Sequence, residues 1–598
     1  MSRRSCRGRT KRVQLARLAI LSLLLPTLFG GQKRRSLDAK HSALLSFEYF
    51  GVRATDDFQF RTKTGRTFLF HVTKESAPVS AFGGVATVVG DLSFGQSSNR
   101  RNEVVVILPR YGFIENHRVV RRFQFILQGE FVKGEISILE RDNVTYVLVS
   151  APSTCESLWL VQSAQHAYDI PRVCSKNGFG KQDRDLYFGL VSAQVVGNCH
   201  QVSSLWDSCD VEADRVVLIH SAHNVPTALH LQSIPRNSHI KIVYVIHDYN
   251  NEPYVSYSTK KLAPYVSMDE LSWTEFLTKR CPRSGPFLRR VTSFRTPDSI
   301  HASQLAACAS VVVLVSKGML KNLLSSSVHT EYLIRTYTQL RQLVVINNWV
   351  STSVWTDARV RVPTEDPVMA KAQAQKLLFR SLRKMAPVSS STAFDCLVLW
   401  IGRFDQNKGI VTIPRLVTAA CDKKCAFAVM GHGSADRLEK HVLHDAFEAA
   451  KRRDCPIYLL NSARDQELYG SLMRAAADIV VVTSAAEAFG LVAAESLAYA
   501  ALPVVSAVGG LPELVIPYSH ESRANWTGIT FEMHARDWRF TSKSAATALS
   551  SAITLLRQLS MEDLYALQAR LIKSAPVSSI GVQHYEECIN TLLHTLSR

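Results

Sequence analysis

The window Thr483 to Val515, TSAAEAFGLVAAESLAYAALPVVSAVGGLPELV, constrains this chain more than any other stretch. It is preceded by Ile479-Val480-Val481-Val482. An unbroken apolar run of that length, bounded by turn residues, reads as a parallel strand buried on both faces. A short loop, a Phe-Gly turn and an Ala/Leu-rich helix of about ten residues follow. A second buried strand, Leu502-Pro503-Val504-Val505, ends at Gly509-Gly510. Such a strand–loop–helix–strand–Gly-loop unit belongs in an α/β sheet. Glu487 lies just before the helix and Glu495 inside it, eight positions on. That spacing turns both carboxylates toward one crevice at the carboxyl end of the sheet. Backbone N–H groups at the helix start, near Phe489, Gly490 and Leu491, point into the same crevice. The ligand that suits this pattern has hydroxyls at one end and phosphate at the other.

The rest of the chain repeats the strand–helix alternation. Thr67-Phe68-Leu69-Phe70-His71-Val72 reads as a buried strand running into a Pro/Gly loop and an apolar helix, with Gly83 and Gly84 at the turn. There a phosphate can approach backbone. Val104–Leu108, Val216–Ile219, Ile242–Ile246 and Val311–Val315 read as further buried strands. Another charged loop lies after Cys396–Ile401, in Gly402-Arg403-Phe404-Asp405-Gln406-Asn407-Lys408-Gly409. Arg403 and Lys408 together suit a diphosphate, one as a fixed fork and the other as a mobile point charge. Two histidines follow the strand that begins at Val216: His220, expected in the core, and His223, expected at the site. Asp183-Arg184-Asp185 has D-x-D spacing, but it leads into a helix and is expected to be structural rather than metal-binding.

These motifs, in this order, resemble the GT-B glycosyltransferases. The 483–515 window resembles their E-x-F-G-L-x-x-x-E motif followed by P-V-V and G-G-L. Glu75, Pro78, Gly83 and Gly84 resemble the E-x-x-P-x-x-K-x-G-G-L-x-D-V signature of the glycogen/starch synthases (glycosyltransferase family 5). Ala81 stands where that family has its phosphate-binding lysine, and Thr87 where it has an aspartate. His223, followed by Thr227-Ala228-Leu229, resembles the histidine of H-D-W-x-T-A-L. Asn347-Asn348-Trp349, with Trp355 after it, resembles the segment that closes the first domain. The Arg403–Lys408 loop resembles the G-R-x-x-x-Q-K-G of both family 5 and family 4, and Glu495 is more typical of family 4. The resemblance implies an α/β GT-B fold: two doubly wound Rossmann-like domains facing a central cleft.

The expected layout is a signal peptide or anchor over 1–35, a polar extension over 36–65 and a first Rossmann-like domain over 66–355. An interdomain hinge over 356–392, a nucleotide-sugar domain over 393–545 and carboxyl-terminal helices over 546–598, folding back on the first domain, complete it. Net charge is +19 in 598 residues, but residues 1–40 hold eleven Lys/Arg against Asp38 alone. The remaining +9 is modest and is not interleaved with aromatics on a strand, which excludes nucleic acid as the partner. Leu18–Phe29 is short of the ~20 apolar residues that span a bilayer. With seven basic residues before it, the segment reads as secretory targeting, with plastid or another organelle as the alternative and membrane attachment through it left open. Twelve cysteines do not decide the compartment.

The resemblance implies a retaining hexosyltransferase that moves glucose from a nucleotide diphosphate sugar to a glycan acceptor. ADP-, UDP- or another nucleotide sugar is the expected donor, with no metal or other cofactor. His223, Arg403, Lys408 and Glu487 would be catalytic. Gly83, Gly84, Phe489, Gly490, Leu491, Glu495, Gly509, Gly510 and Leu511 would bind the donor. Two alternatives stand beside this: a family 4-like transferase building a secretory glycoconjugate, and a glucan- or nucleotide-sugar-binding homologue impaired in turnover.

Overall fold

The structure, a computed structural model, describes residues 66–594 except 82, 128–129, 154, 156–158, 160–180, 200–208, 210–212, 235–236, 238, 249–254, 263–298, 303–307, 327–337, 339–341, 352–365, 383–393 and 434–436. The expected targeting segment, the polar extension, Trp355 and most of the hinge lie outside the described residues.

The first sheet is built on β1 (Thr67–Val72), every residue of which is buried. β2 (Asn102–Pro109) and β6 (Asp214–His220) flank it in parallel, with Val72 opposite both Ile107 and Ile219. β7 (Lys241–Ile246), β10 (Val311–Leu314) and β11 (Leu343–Val345) extend the parallel part on one side. Strands buried on both faces need covering helices, and α1 (Gly84–Ser97), α2 (Lys181–Gly197) and α3 (Pro226–Ser233) are among those that alternate with them. β5 (Val144–Val149) lies parallel beside β2, and beyond it the sheet turns antiparallel: β5 pairs with β4 (Glu130–Arg141), and β4 with β3 (Arg118–Leu127). Sequence reading misses this meander, because its basic and apolar residues alternate and mimic a polar connection. Asp142 and Asn143 turn β4 into β5 at φ 53° and 61°, the paired left-handed geometry of a tight hairpin. A two-strand ribbon, β8 (Ser256–Ser258) and β9 (Ser299–His301), stands apart. α4 (Lys317–Ser326) follows β10.

The second sheet is parallel throughout, in the order β14-β13-β12-β15-β16-β17. Its strands are β12 (Cys396–Ile401), β13 (Cys425–Met430), β14 (Ile457–Leu460), β15 (Ile479–Val482), β16 (Leu502–Ser506) and β17 (Ile529–Phe531). β15 and β16 are the two strands read in and beside the 483–515 window, and they pair directly.

Two expected boundaries move. α5 (Pro367–Leu382), expected in the hinge, packs on the second domain against α8 (Ala463–Ala476). Its buried Lys371 donates to the carbonyls of Ala475 and Ala477 at 3.1 and 2.5 Å, closing the end of α8 where carbonyls lack helical partners. Burial pulls that ammonium down to about 8. At the carboxyl end, α11 (Trp538–Gln558) lies on α6 (Ile413–Cys421), and α12 (Met561–Ser574) on α9 (Leu491–Ala498). Helix α7 (Arg437–Lys451) covers α6 further along. From sequence the carboxyl-terminal helices read as about Ala545–Gln558 and Met561–Ser597; the second breaks at Ala575-Pro576, since a residue before proline is driven out of the helical region. Among the described residues it is α13 (Ser578–His594) that packs on the first domain, with Val350 N donating to the Pro576 carbonyl at 2.9 Å, so the fold-back is seen from near 576 onward. It packs on α1, with Tyr585 edge-on to Trp349 and Asn102 donating to Glu586 at 3.1 Å.

Disulfides join Cys199 to Cys209, Cys396 to Cys425 and Cys421 to Cys455, and Cys155 and Cys308 are also oxidised. The bridges at Cys396 and Cys421 knit the amino ends of β12, β13 and β14, away from the cleft.

Candidate active site

The loop after β12 is fixed by its own residues. The Asp405 carboxylate accepts from the Lys408 backbone at 2.8 Å, and Thr483, at the end of β15, donates to the Lys408 carbonyl at 2.9 Å. Trp400, buried under the loop, donates its indole N–H to the same Thr483 hydroxyl at 2.9 Å. Lys408 is thereby aimed at the loop after β15, where its Nζ lies 2.6 Å from Glu487 Oε2. Ser484 adds a hydroxyl to that oxygen at 2.9 Å. The Glu487 carbonyl accepts from Gly510 N at 3.1 Å, which folds the Gly-Gly loop over the glutamate. Gly509 has φ +53°, and a Cβ there would fall 1.6 Å from the Glu487 carbonyl oxygen, so this position tolerates nothing but glycine.

Gly490 precedes α9, which is eight residues long, and Phe489 is buried beside it. Leu511 opens a four-residue helix, α10 (Leu511–Leu514). The structure therefore brings Lys408, Glu487, Phe489, Gly490, Leu491, Gly509, Gly510 and Leu511 together. Arg403 sits on the same loop but is turned outward, 53% exposed, beside Asp405 at 3.4 Å. Glu495 lies inside α9, where its carboxylate meets Arg474 Nε at 3.0 Å. Sequence reading does not single out Arg474, whose partner comes from another helix.

Across the cleft, α1 begins at Gly84, and a Cβ there would lie 2.4 Å from Leu491 Cδ1. The glycine turns of the two domains thus face each other, with Gly83 just before the helix. His223 sits in a short turn after β6, and its Nδ1 lies 2.9 Å from Asp185 Oδ2. Asp185 is also held by Lys74 Nζ at 2.7 Å and Arg184 Nε at 3.3 Å. Burial alone would push its carboxyl up, but Lys74, His223 and Arg184 overcome that and hold it far below the usual range. Asp185 is thus a fixed anion that orients His223, a role the sequence does not reveal. The D-x-D spacing is its one local trace. Ala81 is exposed and offers no cation.

Behind His223 three buried imidazoles form a chain. His71 lies 3.1 Å from His220, and His220 3.0 Å from His247, with Gln96 2.8 Å from the far side of His71. Burial pulls His71 and His247 down to about 4 and holds His220 well below the usual range, with the neighbouring imidazoles adding to it.

Two facing Rossmann-like sheets, each presenting glycine turns and charged loops at its carboxyl ends, define a GT-B glycosyltransferase. Residues 69–335 match the starch synthase catalytic domain family and residues 392–551 the glycosyl transferases group 1 family. The chain is a glycosyltransferase of the glycogen/starch synthase type. A glycogen synthase of Chlamydia pneumoniae is 21% identical over 547 residues, 88% of this chain and 99% of that one. A probable glycogen synthase 2 of Synechocystis is 33% identical over 125 residues, 21% of this chain and 25% of that one. The catalytic domain of starch synthase IV from Arabidopsis thaliana, solved with ADP and acarbose, superposes with a TM-score of 0.67 at 17% identity, over 89% of this chain and 100% of that one. That likeness is one of fold.

Proposed function

We propose that this enzyme transfers a glucosyl unit from a nucleotide diphosphate sugar to a glucan hydroxyl with retention at the anomeric carbon. The Lys408–Glu487 pair at 2.6 Å carries this reading. It sets a cation and a carboxylate side by side on two motif loops, the combination a phosphorylated sugar needs. On binding, the diphosphate takes the lysine and sugar hydroxyls take the glutamate. As the glycosidic bond breaks, charge grows on the departing phosphate, where Lys408, Arg403 and the Gly509–Leu511 amides meet it. His223, set by Asp185, contacts the sugar from the first domain, and Glu495 serves the nucleotide's ribose. Closure of the two domains supplies positioning. No divalent ion takes part in the proposal, and Asp185 is committed to Lys74, Arg184 and His223.

The proposed place of action is the secretory pathway. Disulfides persist in oxidising compartments, and the asparagines of two N-glycosylation sequons, Asn143-Val144-Thr145 and Asn525-Trp526-Thr527, are both exposed. Among the described residues no helix is long and apolar enough to cross a membrane. Import of a 1–35 reporter into a plastid, with both asparagines unmodified, would reject this placement.

Three departures favour the binding-only alternative: Ala81, Thr87 and Val508, which stands where the family usually has threonine before Gly-Gly. A donor panel separates the readings. Purified protein is mixed with ADP-, UDP- and GDP-sugars, and released nucleotide is measured with and without glucan primer. Primer-stimulated release from a glucose donor is expected. Binding of a nucleotide sugar without release from any donor would leave the impaired homologue.

A further inference from the structure

One set of contacts between the two domains falls on a turn that the catalytic reading does not use. α4 begins at Lys317, just after the buried Ser316. Glu513, on α10, accepts from the backbone N–H of Lys317 at 3.3 Å and from that of Gly318. Ser316 donates its hydroxyl to the Ala488 carbonyl while accepting from Met319 N at 2.9 Å. Gly318 approaches Gly509 so closely that a Cβ would fall 1.9 Å from the Gly509 carbonyl oxygen. The first domain thus grips the second at Ala488, Gly509 and Glu513.

Those three positions frame the donor loop. Ala488 adjoins Glu487, Gly509 folds over the Glu487 carbonyl, and Glu513 lies just past the Gly-Gly-Leu turn. The grip is electrostatically matched, because the start of α4 carries the positive end of a ten-residue helix with N–H groups that have no helical partner, and Glu513 supplies a carboxylate to both. Partial burial raises the carboxyl of Glu513, although Glu513 and Lys317 both keep an exposed side.

We propose that Glu513 is a positioning residue that docks the donor loop onto the first domain, so that Glu487 and the Gly509–Leu511 amides are set by domain closure. The link to donor use rests on the reading of the site above; the docking itself does not. Hydrogen exchange of the full-length protein tests it directly. Amides of 317–320 and of 485–511 should exchange roughly tenfold faster in Glu513→Ala, with the sheets unchanged, since opening a local contact exposes only the groups it covers. Glu513→Gln keeps the shape and loses the charge, and should fall between. If the alanine variant is globally unprotected, the glutamine variant decides. Wild-type exchange at 317–320 in the glutamine variant, or in a folded alanine variant, would overturn the proposal. With ADP-glucose or UDP-glucose, whichever the wild type turns over, Glu513→Ala should raise the donor KM roughly tenfold and leave the acceptor KM alone. Equal changes in both would assign Glu513 to general stability instead. No turnover of either donor by wild type would count against the glucosyltransferase reading, while the exchange result would still judge the docking.

Discussion

The two halves of the cleft are assembled differently. In the second domain Lys408 and Glu487 stand on loops whose sequences spell their role, and those loops are locked by Asp405, Thr483 and Gly509. In the first domain Asp185 is joined to Lys74 across 111 residues and to His223 across 38. Local patterns mark His223 and the D-x-D around Asp185, but none joins them to Lys74 or to each other. The second domain keeps Arg403, Lys408, Glu487 and Glu495 of the donor-side motif and departs at Val508, where the family usually has threonine, whereas the first has an alanine at 81 in place of the family's lysine. Lys408 and Glu487 are themselves 79 residues apart, so the difference teaches that a charged pair is legible when each partner stands in a motif of its own, not when the partners are close in sequence.

Breaking the first-domain cluster should have the largest effect. Asp185→Asn leaves Lys74 and Arg184 facing an uncharged amide in a buried place, and should cost about 3–5 kcal/mol of stability. Urea denaturation checks this, and a loss below about 1 kcal/mol, the scale of an exposed pair, would show that the cluster is held by packing alone.

Acid should act on the same domain. His71 and His247 titrate at about 4 in the fold and near 6.5 when unfolded, so between those values the unfolded chain binds more protons. Their contribution is full above 6.5 and is lost as pH falls toward 4, by roughly 3 kcal/mol for each imidazole. Melting temperatures from neutral pH down to about pH 4 should fall, and less steeply in His71→Asn. Equal slopes in the two proteins would remove the imidazole chain from the account.

On the donor side the effect is on rate. Lys408→Ala should lower turnover roughly a hundredfold, equivalent to about 2.7 kcal/mol, with little change in stability. Arg403→Ala should act in the same direction. Wild-type turnover in both variants would remove the basic pair from the mechanism.

The smallest effect sharpens the comparison rather than breaking it. Ala81→Lys should restore a charge-assisted contact and improve kcat/KM by about 1–2 kcal/mol. Steady-state kinetics with ADP-glucose and UDP-glucose would show it. No gain with either donor would mean that the first-domain loop has diverged toward another sugar.

The parallel strands are legible in the sequence because burial on both faces leaves unbroken apolar runs such as Ile479–Val482. The loops that follow them are legible because backbone approach to phosphate demands glycine at fixed places. The meander of β3 and β4 is not, since strands with one wet face resemble polar linkers. The break at Pro576 is visible as a proline, yet the apolar periodicity on both sides of it reads as one helix. Asp185, Arg474 and Glu513 escape because each is defined by a partner far away in sequence. The disulfides escape for the same reason: Cys421 and Cys425, near neighbours in sequence, bond to Cys455 and Cys396 instead of to each other.

The central claim is glucosyl transfer across this cleft, and the product tests it most directly. Labelled glucose from the active nucleotide donor is followed onto a glucan primer by wild type and by Lys408→Ala, and the new linkage is digested with an α-specific exoglucosidase. The account predicts label in the polymer, its complete release by that enzyme, and roughly a hundredfold less label from Lys408→Ala. Label that resists the α-specific enzyme, or equal labelling by the two proteins, would contradict it.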